Sequence, residues 1–516
     1  MTSFPRLSPP VHPSVPTPEP APLARFVVAV CRPAAWAVVA FAAALAPLVS
    51  AGDPEPPFGR PWYLGRLVAL VAAMVALLVG ARRLGAVLAP GVERRALAVL
   101  VFLVSYSVFV ANQRTISSGD NLPTRALPLA LLAGDGFDLA RVVPVAEQRH
   151  YSLVRKDGEL RSAFPVGTGL LATPYFALAR ALSPSAGELG SERAQGREKH
   201  LAALLSALAV ALVFLAGAVV YPADGARALL ALALATGTPV LTSLSQGLWS
   251  HTGEIFLAAV ACFLVSRPRR ERACELAAGV ALGAAFLCRP TAVLLLPVVA
   301  CFARRGFRAA PRLVAGFAAA AGGAALLDWA LWGNPLGAYA HLNAGERKWH
   351  LAGFSRRLMG VLASPSRGLA WFLPALVAAL AIAALAWRRL AAERRKMLLA
   401  SLATVASVVL LTAFYRNWWG GSSLGPRLLV ELALPLFVLA ALALTAGGRR
   451  ARALLVALFL AQSLVHLRLY SSERAVRWYA TVGVGPRSPA ALFSLRNSLL
   501  AAAFVPDWEP ATEARE

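Results

Sequence analysis

Asp120 stands in SSGDN, a few residues beyond a long apolar stretch. A carboxylate where a chain leaves a membrane is costly to ionise unless something uses it. Such a group can serve as a general base, taking a proton from a hydroxyl or amine as that group attacks carbon. An aspartate after a glycine can equally cap a helix or close a turn. Arg289 is alone in an apolar stretch ahead of Pro290, Arg427 follows SSLGP, and Arg367 sits in SPSRG. Guanidinium offers a planar fork of donors that fits phosphate oxygens and keeps its charge at any relevant pH. The other reading of these arginines is snorkelling to lipid headgroups.

The segment YRNWWGGSSLGPR (415–427) sets Tyr415, Trp418 and Trp419 beside Gly420 and Gly421. Aromatic faces stack on sugar rings, and glycines let backbone donors approach a ligand. Trp and Tyr also form the ordinary interfacial belt of membrane proteins. In LWSHTGE, Trp249 precedes His251 and Glu254, which are three apart and share one face at a helix start. No other acid or histidine is nearby, so the pair is a poor metal site, and Glu254 can equally stabilise the helix dipole. With Asn121 and Arg125, which follow Asp120, these aromatic and polar residues form the expected substrate-binding set. No cofactor is expected: GxxxxGK[ST] is absent, and no ligand set supports a divalent ion, which stays open only as an addition.

The elements that must position these groups are membrane helices. The chain has 516 residues, is 58% hydrophobic and has a mean hydropathy of +0.62, more apolar surface than one soluble core of this length can bury. Its net charge of +25 does not point to nucleic acid, because the basic residues cluster at the ends of apolar stretches. Lys and Arg there are orientation signals and contacts for anionic lipid. The five cysteines lie within or beside apolar segments without CxxC spacing and read as small buried hydrophobes.

Spans are expected at 34–50, 66–81, 96–112, 200–220, 228–245, 254–266, 273–288, 290–303, 312–332, 368–387, 397–414, 428–446 and 453–469. With the N-terminus inside, the basic connectors at 82–95, 267–272, 304–308, 388–396 and 449–452 all fall inside. The expected fold is therefore an all-α polytopic membrane protein of about thirteen transmembrane helices. Residues 1–24 form a Pro-rich disordered cytoplasmic tail, 25–112 carry the first three spans, and 113–199 form a large outer loop with the acid. Residues 200–469 supply the remaining spans with outer loops at 333–367 and 415–427, and 470–516 form an outer tail. Within the large loop, 122–133 and 167–182 read as interfacial helices, and 150–165 as a hairpin turning at Asp157-Gly158.

The order of these features resembles the C-type (GT-C) integral-membrane glycosyltransferases, the superfamily of dolichyl-phosphate-mannose protein mannosyltransferases and bacterial lipid A aminoarabinose transferases. The matching pieces are Asp120, FPVGTGLLATPYFALA, LWSHTGE, GAAFLCRPTAVLLLP, WGNPLGAYAH, LASPSRGLAWFLPAL and WWGGSSLGPRLL, running from about 115 to 440. The resemblance implies a GT-C-like fold in a bacterial inner membrane, with the large loop and the C-terminus periplasmic. It implies inverting transfer of a sugar from a polyprenyl-phosphate donor to a lipid, glycan or protein acceptor at the outer face. Asp120 would then be the catalytic base, with Arg289 and Arg427 on the donor phosphate. Two features depart from the pattern: two additional spans come before the one that leads into the large loop, and Asn121 stands where many members carry a second acid, unless Asp135 or Asp138 replaces it. The rival readings are a transporter or flippase of a lipid-linked substrate, and a non-catalytic relative that binds a lipid-linked sugar. A transporter calls for charges near mid-membrane on several spans. Asp328 is the one acid placed well inside a span, and the inner loops are plain.

Overall fold

The computed structural model describes residues 90–112, 114–116, 118–182, 192–337, 351–481, 492–505 and 508. The proline-rich tail and the expected spans at 34–50 and 66–81 lie outside the described residues.

Each expected span from 96–112 onward contains helix. In chain order these elements are α1 (Pro90–Val110), α2 (Leu122–Ala133), β1 (Leu153–Lys156), β2 (Glu159–Ser162), α3 (Gly167–Leu182), α4 (Glu192–Ala216) and α5 (Asp224–Gly237). There follow α6 (Ser250–Val265), α7 (Glu271–Cys288), α8 (Pro290–Ala300), α9 (Ala310–Trp332), α10 (Phe354–Ala363) and α11 (Pro374–Leu385). The chain then continues through α12 (Ala392–Phe414), α13 (Arg427–Ala446), α14 (Arg449–Ser471), α15 (Glu473–Thr481) and α16 (Leu499–Phe504).

Length decides which of these can span a bilayer. Among the described residues, five helices are long and apolar enough: α4, α9, α12, α13 and α14. A sixth arises if α5 and Pro239–Gln246, bent by 45°, count as one span. The remaining expected spans fail on length or on charge, α1 because Arg94 and Arg95 fall in the first part of its 21 residues. α6 has 16 residues, which at about 1.5 Å per residue reach only ~24 Å of a ~30 Å hydrocarbon layer. α8 and α11 are shorter still, and Glu271, Arg272 and Glu275 charge the first turns of α7. The expected count of thirteen is therefore not established, and the described residues carry five or six full-length spans. α13 is apolar all round and buried from Ala433 to Ala443, so it runs through the middle of the bundle. α7 and α9 pack backbone to backbone: a Cβ on Gly279 would meet the Leu313 carbonyl at 2.2 Å. Small residues permit that approach.

The large loop has a core of its own. Leu122, Leu127, Leu139, Leu160 and Val166 are buried together beneath α2 and the hairpin. β1 and β2 pair antiparallel with Lys156 opposite Glu159, and Asp157 (φ 53°) and Gly158 (φ 85°) make a two-residue turn. Left-handed backbone at both central positions is what a tight hairpin requires. α2 and α3 are thus parts of a folded subdomain packed on the bundle, and not only helices lying along an interface.

Candidate functional site

Ser118 N-caps a short turn, Gly119–Asn121, accepting a hydrogen bond from the Asp120 amide. Since Ser118 does the capping, the Asp120 carboxylate is left to reach outward. Its Oδ2 lies 2.9 Å from Arg427 Nη1, and its Oδ1 accepts a hydrogen bond from the Tyr151 hydroxyl. The His150 ring stands over Gly119, in the space that a side chain there would occupy. The partly covered position of Tyr151, and then the Asp120 charge, raise its pKa, so the phenol is a donor across the neutral range.

Arg427 begins α13, and its guanidinium stacks over Trp249, 4.2 Å from the ring centre. The loop leading to it is held from behind. Arg367, which was expected to face phosphate or lipid headgroups, is buried and donates to the carbonyls of Ser423 (2.6 Å), Gly425 (2.5 Å) and Gly421 (3.1 Å). It also lies over the Trp478 ring, and burial lowers its pKa to about 9. At Gly425 the backbone takes φ 91°, which a residue with a side chain rarely adopts.

Arg289 breaks the helix between α7 and α8, where Pro290 cannot continue the hydrogen-bond ladder. Its Nε lies 3.1 Å from Glu431 and 3.4 Å from Glu254, and it donates to Thr291 Oγ1 at 2.8 Å. Thr291 in turn donates to Glu254 at 3.1 Å. Both glutamates are buried. A lone guanidinium buried in apolar surroundings needs such partners.

These groups open onto one cavity of about 1130 Å³. Asp120, Trp249, His251, Arg289, Tyr415, Trp419 and Arg427 line it, together with Tyr151, Glu431 and Tyr479. Val293, Leu294, Val408 and Leu411, from α8 and α12, form an apolar wall. Burial raises the Tyr479 pKa to about 12.

Four expected substrate contacts lie elsewhere. Asn121 is buried and donates to Glu198 Oε1 at 2.9 Å, and Arg125 pairs with Glu198 at 3.3 Å. Both tie the loop to α4, because successive residues of a tight turn point in different directions. Trp418 packs over Gly360, with its ring 5.8 Å from that of Phe493, while its neighbour Trp419 takes the cavity side. Glu254 stands behind Arg289. The proposed substitute acids are engaged as well: Asp135 pairs with Arg141 at 2.7 Å, and Asp138 accepts from the amides of Ala140 and Leu160. Among the described residues no three His, Cys, Asp or Glu side chains are grouped to hold a metal ion.

Sequence reasoning missed Glu431, Tyr151 and Tyr479. For Glu431 a signal existed: it is an acid in the apolar run LLVELALP, as Arg289 is a base in another. Opposite charges stranded in apolar segments pair with one another.

No family model matches the chain. No curated protein matches it either. Among solved structures it is similar to the Archaeoglobus fulgidus oligosaccharyltransferase tethered with an acceptor peptide containing the NVT sequon, at 13% identity and a TM-score of 0.46. The match covers 73% of this chain and 55% of that one, so this chain spans little more than half that protein's length. A likeness so distant carries no argument about activity, and the functional reading rests on the site.

Proposed function

We propose that this protein is a membrane glycosyltransferase that moves a sugar, with inversion, from a polyprenyl-phosphate donor to an envelope acceptor at the outer face of a bacterial inner membrane. The observation that carries the reading is the convergence of Asp120, Arg427 and Arg289 on one cavity with a polar wall and an apolar wall. A donor tied to the bilayer by its isoprenoid needs such a two-sided site. Its chain lies against Val293, Leu294, Val408 and Leu411, and its headgroup among the charged residues.

In this scheme an acceptor hydroxyl or amine attacks the anomeric carbon as Asp120 takes its proton. The bond from that carbon to the phosphate oxygen breaks, and its electron pair stays on the phosphate beside Arg427. Arg289, already balanced by Glu254 and Glu431, contributes less to binding the anion than Arg427 does. Trp419 and Tyr415 offer faces for the sugar ring. The donor sugar in an activated phosphate linkage leaves the protein to orient reactants and move one proton. The test is turnover of farnesyl-phosphoryl sugars by the protein in nanodiscs. Asp120→Asn should lower it by about 10²–10⁴-fold with the fold intact, and turnover within tenfold of the unaltered protein removes the proposed base.

A further inference from the structure

Both oxygens of the Asp120 carboxylate are engaged before any substrate arrives, Oδ1 by the Tyr151 hydroxyl and Oδ2 by Arg427. The two partners are held very differently. Arg427 is 9% exposed and wedged over Trp249, whereas Tyr151 is 58% exposed on the loop ahead of β1. Its ring lies 4.3 Å from that of His150 and 6.4 Å from that of Phe164 between centroids, and the side chain of Ser118 is a second hydrogen-bond partner for its hydroxyl. The phenol is thus the partner that can leave.

An O–H donated to this carboxylate is also the contact an acceptor hydroxyl must make to surrender its proton. Resting on the transferase reading, we propose that Tyr151 is a positioning residue that holds the acceptor's place on Asp120 and keeps water off it until an acceptor displaces the phenol. Without that guard, water would attack the anomeric carbon and pass its proton to Asp120. The carbon–oxygen bond to phosphate would break with its electron pair on the phosphate, and the donor would be lost as free sugar.

The test compares Tyr151→Phe with the unaltered full chain in nanodiscs, by two readouts. The first is modification of Asp120 by a water-soluble carbodiimide, followed by mass spectrometry with exposed Glu147 as internal reference. The second is acceptor-free release of sugar from farnesyl-phosphoryl mannose. Phenylalanine keeps the ring contacts, so only the hydroxyl is removed. The expected result is a several-fold rise in Asp120 modification and a five- to tenfold rise in acceptor-free release. Unchanged modification overturns the guard, as does measurable release that fails to rise. Raised modification with no release by either protein upholds the shielding of Asp120 and removes this donor reading instead.

Discussion

Replacing Asp120 by asparagine should cut turnover and yet tighten the grip on phosphate. The carboxylate is 21% and Arg427 10% exposed in their side chains, and they lie 2.9 Å apart. At an effective dielectric of about 20, charges at that separation attract by roughly 6 kcal/mol. Solvent at the cavity mouth and the desolvation each group has already undergone leave about 1–2 kcal/mol of net restraint on Arg427. An incoming phosphate competes with Asp120 for that guanidinium and is also repelled by the carboxylate. Asparagine removes both effects, so farnesyl phosphate should bind about five- to thirtyfold more tightly. Loss of a general base should lower turnover by about 10²–10⁴-fold. Quenching of tryptophan emission, with Trp249 directly beneath Arg427, reports binding in the same nanodiscs. Weaker binding by Asp120→Asn would refute the claim that Arg427 is shared between carboxylate and phosphate.

Other expected outcomes separate scaffold from site. Arg125→Ala leaves Glu198 buried with only neutral donors, which should cost about 2–3 kcal/mol in thermal unfolding while leaving farnesyl phosphate affinity unchanged. Glu254→Gln or Glu431→Gln leaves one of the two carboxylates beside Arg289 and should shift stability by about 1 kcal/mol, whereas the double variant removes both and should cost about 3–5 kcal/mol, more than the sum. Arg367→Lys cannot reach the three carbonyls its fork now holds, so amide exchange at 420–425 should rise and stability fall by about 2–4 kcal/mol.

The placement of apolar segments was legible because local composition sets it. Helix appears in every expected span that falls among the described residues, and Asp157-Gly158 turns its hairpin through two left-handed residues. How many of those helices cross a bilayer was not legible, since Pro290 and the charged first turns of α7 shorten apolar runs that look continuous in hydropathy. Residue type singled out Asp120, Arg289 and Arg427, because an unshared charge beside an apolar run is expensive wherever it lies. Type could not say which way a side chain faces. Asn121 adjoins Asp120 but turns to Glu198, 77 positions away, and Arg289 meets Glu431 across 142. Those pairings depend on how α4, α7 and α13 pack, and helix packing is settled by surfaces from distant parts of the chain. Tyr151 has the same lesson at shorter range: only the folded loop brings its hydroxyl onto the carboxylate 31 residues earlier.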